Sequence, residues 1–271
     1  MHQFMNFCVS IDCNFTALPA NVSHVLYFIG QLFSQGIKYA SILSKLSSVS
    51  YFHKSLRLVD PTQDYFVKRC LQGYSKLAKK PDAKVPVSIE MLHVMIASCS
   101  KLPIQPYYRK LLKAALSLGF FALLRPGEIV FSCNTIKIQD VYVQDDVIVV
   151  DFQSYKHAKP VPKCISVARR LDGVCPHAHL ANYLVLRGKA QGPLFCHLDV
   201  RPISYSLFKK WFELLKNLCK LPAILSLHCL RVGGASYAAL QGKSDSEIQR
   251  FGRWSGRNFD SYLQFNSTIK L

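Results

Sequence analysis

Apolar residues recur at every third or fourth position in three early stretches of the chain, at about residues 21–36, 39–56 and 61–77. This spacing places apolar side chains on one face of a helix, so each stretch is predicted to be helical. Residues 1–18 are apolar without such a period, and we expect them to be irregular. The start of the chain is therefore predicted to form a small helical domain.

A charged stretch punctuated by prolines, from Lys79 to Pro86, follows the third predicted helix. Proline and polar clusters between periodic segments are typical of loops and linkers. We therefore place a domain boundary there, with residues 81–87 as the linker between a first domain, 1–80, and a second domain, 88–271.

Beyond the linker the period changes twice. Helical spacing covers residues 89–98 and 105–124, and it then gives way to three short β-branched runs at 136–138, 147–150 and 164–167. Such runs between turn residues predict a three-stranded antiparallel sheet. Helical patterns return at 176–187, 204–219, 227–240, 244–251 and 257–265. The predicted fold class is mainly α with one small antiparallel β-sheet (α+β).

The chain carries a large excess of positive charge. Its 271 residues have a formal net charge of +18, with 10 basic and 4 acidic residues up to residue 85 and 24 and 12 after it. A cationic excess in both parts favours a polyanion such as double-stranded DNA, through long-range attraction and counterion release. A basic protein without a nucleic-acid role is the alternative. A membrane surface is less favoured, because no amphipathic helix rich in lysine and arginine is evident.

The ten cysteines are scattered, mostly in apolar stretches, and none forms a CxxC pair. This pattern is typical of reduced thiols in an intracellular protein. Cys175, His177 and His179 suggest a metal site, but Pro176 favours the start of a helix instead. The N-terminus has no signal-peptide pattern, and no apolar run reaches the roughly 18 residues that cross a bilayer. We expect a nuclear protein in a eukaryote and a cytoplasmic one otherwise.

Two motifs carry side chains suited to an anion. Arg125 follows a strongly apolar run, and a desolvated guanidinium needs an anionic partner, which Glu128 could supply in part. His228 and Arg231 share one face near the start of a predicted helix, where anions are favoured. Each signal is weak alone, because a helix-end ion pair and a solvated helix face are the ordinary interpretations.

Two aromatic residues complete the set. Trp254 lies in a polar setting and offers an indole N–H donor. Tyr262 would ordinarily be a core residue of a last helix, but its segment is polar and favours partial exposure.

These motifs follow one another in a specific order. Arg-x-x-Glu after an apolar helix, a lysine in a predicted β-hairpin, His-x-x-Arg, Gly-Arg-Trp and a tyrosine together resemble the tyrosine recombinase (phage integrase) superfamily, over nearly the whole chain. The segment from Ser244 to Ser255 is more narrowly similar to the recombinases of eukaryotic Crypton-type and DIRS-type mobile elements. The first domain resembles that group's N-terminal helical core-DNA-binding domain (SAM-like), and the second resembles its catalytic domain.

The resemblance implies a role for each matching residue. Tyr262 would attack the scissile phosphate and form a 3′-phosphotyrosyl bond, while Arg125 and Arg231 hold the non-bridging oxygens. His228 would assist proton transfer, and Trp254 would donate its N–H to the phosphate. The implied activity is site-specific DNA recombination or integration without metal, cofactor or ATP, because the covalent intermediate conserves the bond energy for rejoining.

The family's catalytic lysine lies in the hairpin between the second and third strands, where it can protonate the leaving 5′-oxygen. Lys156 matches that pattern best, Lys159 is the alternative, and Lys163 is a distant third.

Three other functions remain open from the sequence. They are a catalytically silent DNA-binding protein derived from such an enzyme, a type IB topoisomerase-like enzyme, and a helical protein unrelated to nucleic acid. The complete residue set favours an active recombinase, which would act on two duplexes as a homo-oligomer, a tetramer in synapsis. The N-terminal domain of the family usually begins with another helix, and little of it is present before the helix predicted at residues 21–36. Nine residues follow Tyr262. We therefore expect a fragment or a degraded copy of a mobile element.

Overall fold

The computed structural model describes residues 1–11, 18–78, 85–153 and 163–256. The chain divides into two compact units, Met1–Asp82 and Ala83–Leu271. The described part of the first unit is helical and contains α1 (His2–Ile11), α2 (Val22–Ser34), α3 (Tyr39–Ser55), a 3-10 turn (Pro61–Gln63) and α4 (Tyr65–Leu77).

The three helices predicted from spacing are confirmed. The side chain of Asn21 caps α2 by accepting the N–H of Ser23. The third stretch is divided, because the side chain of Asp64 accepts the N–H of Phe66 and so begins α4 after a separate 3-10 turn.

The expectation that residues 1–18 are irregular is wrong for His2–Ile11, which form α1. Phe4 and Cys8 lie one helical turn apart, and both are buried in the core of the first unit. The rings of Phe4 and Phe7 each lie 5.2 Å from the ring of Phe28 on α2. Packing against α2, rather than an apolar spacing that repeats over several turns, therefore stabilises α1.

The second unit combines helices with one sheet. Its described residues form α5 (Ile89–Ser98), α6 (Pro106–Phe121), α7 (Pro126–Ile129), β1 (Val141–Val143), β2 (Val147–Phe152), β3 (Lys163–Ala168), α8 (Pro176–Arg187), α9 (Tyr205–Leu218), α10 (His228–Leu240) and α11 (Asp245–Gly252). Among the described helices of both units, none has the length and apolar character needed to cross a membrane.

The sheet has three antiparallel strands, as predicted, in the order β1-β2-β3, and Phe152 of β2 pairs with Lys163 of β3. The predicted position of the first strand is wrong. Ile138–Asp140 is a 3-10 turn, in which the Asp140 side chain accepts the N–H of Lys137, and the first strand follows it at Val141–Val143. Ile136 is buried in the core outside the sheet, which explains its apolar character.

Helix α6 lies at the centre of the second unit and is buried on most sides. It ends before residue 124, the predicted limit, because Leu123 adopts a left-handed φ of 48°. Helix α10 approaches two neighbours closely at consecutive glycines: a Cβ on Gly233 would lie 2.0 Å from the carbonyl oxygen of Val87, just before α5, and one on Gly234 would lie 2.0 Å from that of Phe120 on α6. This contact places α10 beside the end of α6, where the chain leads into Arg125.

Candidate functional site

The turn that follows α11 binds two arginines that are distant in sequence. Arg253 ends α11 in a left-handed conformation, with φ 57° and ψ 43°. The carbonyl oxygen of Gly252 accepts a hydrogen bond from Arg231 Nη2, and that of Arg253 accepts one from Arg125 Nη2 at 3.3 Å. Two consecutive carbonyls therefore orient the two arginines that the sequence nominates for phosphate binding.

Arg125 is the more accessible of these arginines, with a side chain that is 22% exposed. It lies at the N-terminus of α7, where its backbone N–H donates to Glu128 Oε2 at 2.7 Å. Its Nη1 donates to the other carboxylate oxygen of Glu128 at 3.1 Å. Glu128, only 1% exposed, thus fixes both the backbone and the side chain of Arg125.

Arg231 is held deeper in the unit. It lies one turn after His228, the first residue of α10, and is 1% exposed. Its Nη1 donates to the carbonyl oxygen of Leu123, and the indole of Trp254 stacks on its guanidinium at 4.2 Å. In this conformation Arg231 presents almost no surface to a ligand.

The stacking of Trp254 depends on the glycine two residues earlier. A Cβ on Gly252 would lie 1.7 Å from Cζ3 of the indole, which no side chain could tolerate. Trp254 and His228 are both half-buried, so each has some surface at the site. Any side chain at residue 252 would therefore displace the indole from this stacked position.

No role is predicted for Arg253 from the sequence, but its side chain is buried within the site. Its Nη2 donates to Glu128 Oε2 at 2.7 Å and to the Leu123 carbonyl oxygen at 3.2 Å. Its guanidinium lies 3.8 Å from the centre of the Phe152 ring, at the end of β2. The only sequence signal was its place between Gly252 and Trp254, which does not indicate that the side chain turns inward.

Three nominated residues, Tyr262, Lys156 and Lys159, lie outside the described residues. Lys163 is described and is the first residue of β3, opposite Phe152. Phe152, which pairs with Lys163, is also the residue whose ring contacts the Arg253 guanidinium.

The Cys175, His177 and His179 side chains bond to separate backbone groups. Cys175 Sγ accepts the N–H of Ala178 and caps α8, as the proline after it suggested. His177 Nε2 lies 2.6 Å from the carbonyl oxygen of Gln144, and His179 Nε2 lies 2.9 Å from that of Gly173. Within the described ranges, no group of three or more histidine, cysteine and acidic residues is placed to hold a metal ion.

No protein-family model and no curated protein sequence matches the chain. Solved structures do match it. A λ integrase dimer bound to a COC′ core site has a TM-score of 0.63 and 15% identity, covering 97% of this chain and 70% of that one. The XerH site-specific recombinase bound to its difH substrate has a TM-score of 0.62 and 14% identity, covering 99% of this chain and 76% of that one. The Tn1549 transposon integrase in complex with circular intermediate DNA has a TM-score of 0.63 and 14% identity, covering 94% of this chain and 87% of that one.

These structures are all tyrosine recombinases or integrases. At such low identity they establish the fold alone, and the narrower similarity to Crypton-type and DIRS-type recombinases stays a prediction. The mainly helical architecture with its small antiparallel sheet is the architecture that the sequence predicted. The chain has the fold of the tyrosine recombinases.

Proposed function

We propose that this protein is a site-specific DNA recombinase that breaks and rejoins strands through a 3′-phosphotyrosyl intermediate on Tyr262. One observation carries the proposal: Arg125 and Arg231 are bound to consecutive carbonyls of a single turn, beside Trp254, in a chain with the tyrosine recombinase fold. Chance placement of a scattered motif would not bring its members to one turn.

Arg125 would make the first contact with the scissile phosphate. A guanidinium has five N–H donors in a planar fork that matches phosphate oxygens. The Arg125 side chain donates to Glu128 and to the Arg253 carbonyl, and its exposed part keeps further donors for non-bridging oxygens. Donors fixed before the reaction stabilise the charge that develops in the transition state without further reorganisation.

Arg231 would join Arg125 only after the indole of Trp254 moves. The indole now stacks on the guanidinium, so a phosphate would take its place while the Trp254 N–H turns to donate to the same phosphate. His228 would assist proton transfer, and Lys156, or alternatively Lys159, would protonate the leaving 5′-oxygen. A tyrosine hydroxyl has a pKa of about 10 in water. Arginine and lysine cations at the site would therefore also favour ionisation of Tyr262.

Several partners follow from the proposal. The solved relatives named above are bound to DNA, one as a dimer, and another λ integrase structure is a tetramer on a Holliday junction. We propose that this chain likewise acts on double-stranded DNA as a homo-oligomer, with residues 1–80 as a DNA-binding domain. Mobile-element origin and nuclear localisation are further parts of the proposal.

The test is covalent capture of DNA. Duplexes retained by the protein from a random-sequence pool would be resynthesised with a nick near the selected core, so that the cleaved end diffuses away. We expect the parent protein to form an adduct with the 3′-phosphate end of the cleaved strand, and Tyr262→Phe to bind the same DNA without forming one. Lys156→Met and Lys159→Met, compared on a substrate with a 5′-thio leaving group, would show which lysine acts as the acid. Specific binding by the parent protein with no adduct would favour the catalytically silent DNA-binding protein.

A further inference from the structure

We propose that Arg253 is a positioning residue that orients both phosphate-binding arginines from inside the protein. This inference rests on the proposed function, since it concerns the same site. Arg253 itself is 2% exposed and cannot touch DNA from its present position. Its effect must therefore pass through the groups that it holds.

Its side chain connects the end of α11 to the turn after α6. Nη1 lies 3.4 Å from the Ala122 carbonyl oxygen and 3.2 Å from that of Phe251, and Nη2 reaches Leu123 and Glu128. The carbonyl of Leu123 also accepts from Arg231 Nη1. One guanidinium thus ties together two segments about 130 residues apart, and it shares an acceptor with Arg231.

The backbone of Arg253 completes the connection. Its carbonyl oxygen and that of Gly252 are the acceptors for Arg125 and Arg231. A left-handed conformation is unfavourable for a residue other than glycine unless its surroundings hold it. The inward side chain supplies that hold, because its hydrogen bonds to Leu123 and Glu128 fix the turn against α6. If the side chain were lost, we expect both carbonyls to move.

Charge gives Arg253 a second effect on the site. Glu128 is 1% exposed and binds the side chains of both Arg125 and Arg253. Because one carboxylate is shared between two guanidiniums, it does not neutralise Arg125 alone, and a net positive charge remains for the phosphate. Without Arg253, the buried charge of Glu128 would be balanced by Arg125 only.

The experiment compares Arg253→Met and Arg253→Lys with Arg250→Met. Methionine removes the fork at similar size, and lysine keeps the charge but lacks the planar fork with its five donors. Arg250 is an exposed arginine on the same helix, so its substitution controls for the loss of one positive charge. The Nε–H NMR signals of Arg125 and Arg231, assigned through Arg125→Lys and Arg231→Lys, report the two arginines without any DNA.

We expect both signals to shift and to exchange faster with water in Arg253→Met and, to a smaller extent, in Arg253→Lys. We expect cleavage at saturating DNA to fall about 10- to 100-fold in Arg253→Met, with an unchanged Kd, because misplaced groups raise the barrier without weakening the ground-state contacts. Arg250→Met should change neither the signals nor the cleavage rate.

A folded Arg253→Met or Arg253→Lys protein with unchanged Arg125 and Arg231 signals would overturn the proposal. Loss of the fold in both variants would also overturn it, because Arg253 would then serve stability only. A parent protein that fails to cleave would contradict the proposed function. The NMR comparison needs no DNA, so it would still decide whether Arg253 orients Arg125 and Arg231.

Discussion

Among the described residues, both units expose many basic side chains, but only the second unit also buries arginines. In the described part of the first unit, Arg57, Lys68 and Arg69 are exposed, as are most of the other lysines. In the second unit, Arg231 and Arg253 are almost fully buried, with their guanidiniums on backbone carbonyls and on Glu128. Exposed cations suit loose contacts along a phosphate backbone, whereas buried and bonded ones have a fixed direction.

Under the proposed function, the net positive charge would serve two purposes. Long-range attraction to DNA depends on the number of exposed cations and on salt. Catalysis depends on a few groups held in place before the substrate arrives. Substitutions of the same type should therefore have different consequences in the two units.

The largest contrast is expected for arginine-to-lysine substitution. Arg231→Lys keeps the charge but loses the fork that spans the Leu123 and Gly252 carbonyls. We expect cleavage to slow by roughly 10²- to 10³-fold, the cost typical of losing one donor to transition-state charge. Arg69→Lys, an exposed change in the first unit, should leave the cleavage rate unaltered. The single-turnover rate of adduct formation measures the effect of each substitution. Equal losses of rate in Arg231→Lys and Arg69→Lys would contradict the distinction between the two units.

Two glycine-to-alanine substitutions should separate the units in stability. Gly234→Ala would put a Cβ 2.0 Å from the Phe120 carbonyl oxygen and force α10 away from α6. We expect the second unit to lose about 2–3 kcal/mol of unfolding free energy, as overpacked cores do. Gly30→Ala on α2 meets no atom within 4 Å and should stabilise the first unit by about 0.5–1 kcal/mol. Urea unfolding followed by hydrogen exchange would resolve the two units, and a neutral Gly234→Ala would contradict the close helix contact.

A smaller effect is expected at Asp60 in the first unit. Burial alone would raise the pKa of this carboxyl, but hydrogen bonds from Ser50, Thr62 and Lys54 outweigh burial and lower the pKa to about 2. Because the folded pKa lies below the unfolded value of 3.8, the stabilisation is present above pH 4 and is lost as the pH falls towards 2.

The lowered pKa of Asp60 corresponds to about 2 kcal/mol of unfolding free energy at neutral pH. Asp60→Asn should remove this amount at pH 7 and flatten the pH dependence of the first unit between pH 4 and 2. Asp64→Asn, which keeps an N-cap side chain on α4, is the matched control. A pH dependence that is unchanged in Asp60→Asn would show that another carboxyl carries it.

The sequence predicted those features whose cause is local. Asn21 before an apolar period correctly indicated the start of α2. The spacing of Ser244 and Glu247 is that of a capping box, and the two side chains form one at α11. Both signals need only residues within a turn of each other, so no tertiary contact can override them easily.

The features that could not be predicted depend on distant partners. Phe4 is helical because Phe28 packs on it, and Leu123 ends α6 early although its neighbours continue the apolar pattern. Nothing in the sequence next to Arg253 indicates that it is buried, and the acceptors supplied by Glu128 and Leu123 explain why it is. The ordered motif located the site, but the burial of its arginines required the fold.

The most direct test of the proposed function is to identify the residue that carries the DNA. The adduct trapped on the nicked duplex would be digested with protease and nuclease, and the remaining nucleotide would be mapped by tandem mass spectrometry. The account predicts a single modified peptide, with a 3′-linked nucleotide phosphate on the oxygen of Tyr262. Linkage to any other residue, or to a 5′-phosphate, would contradict it.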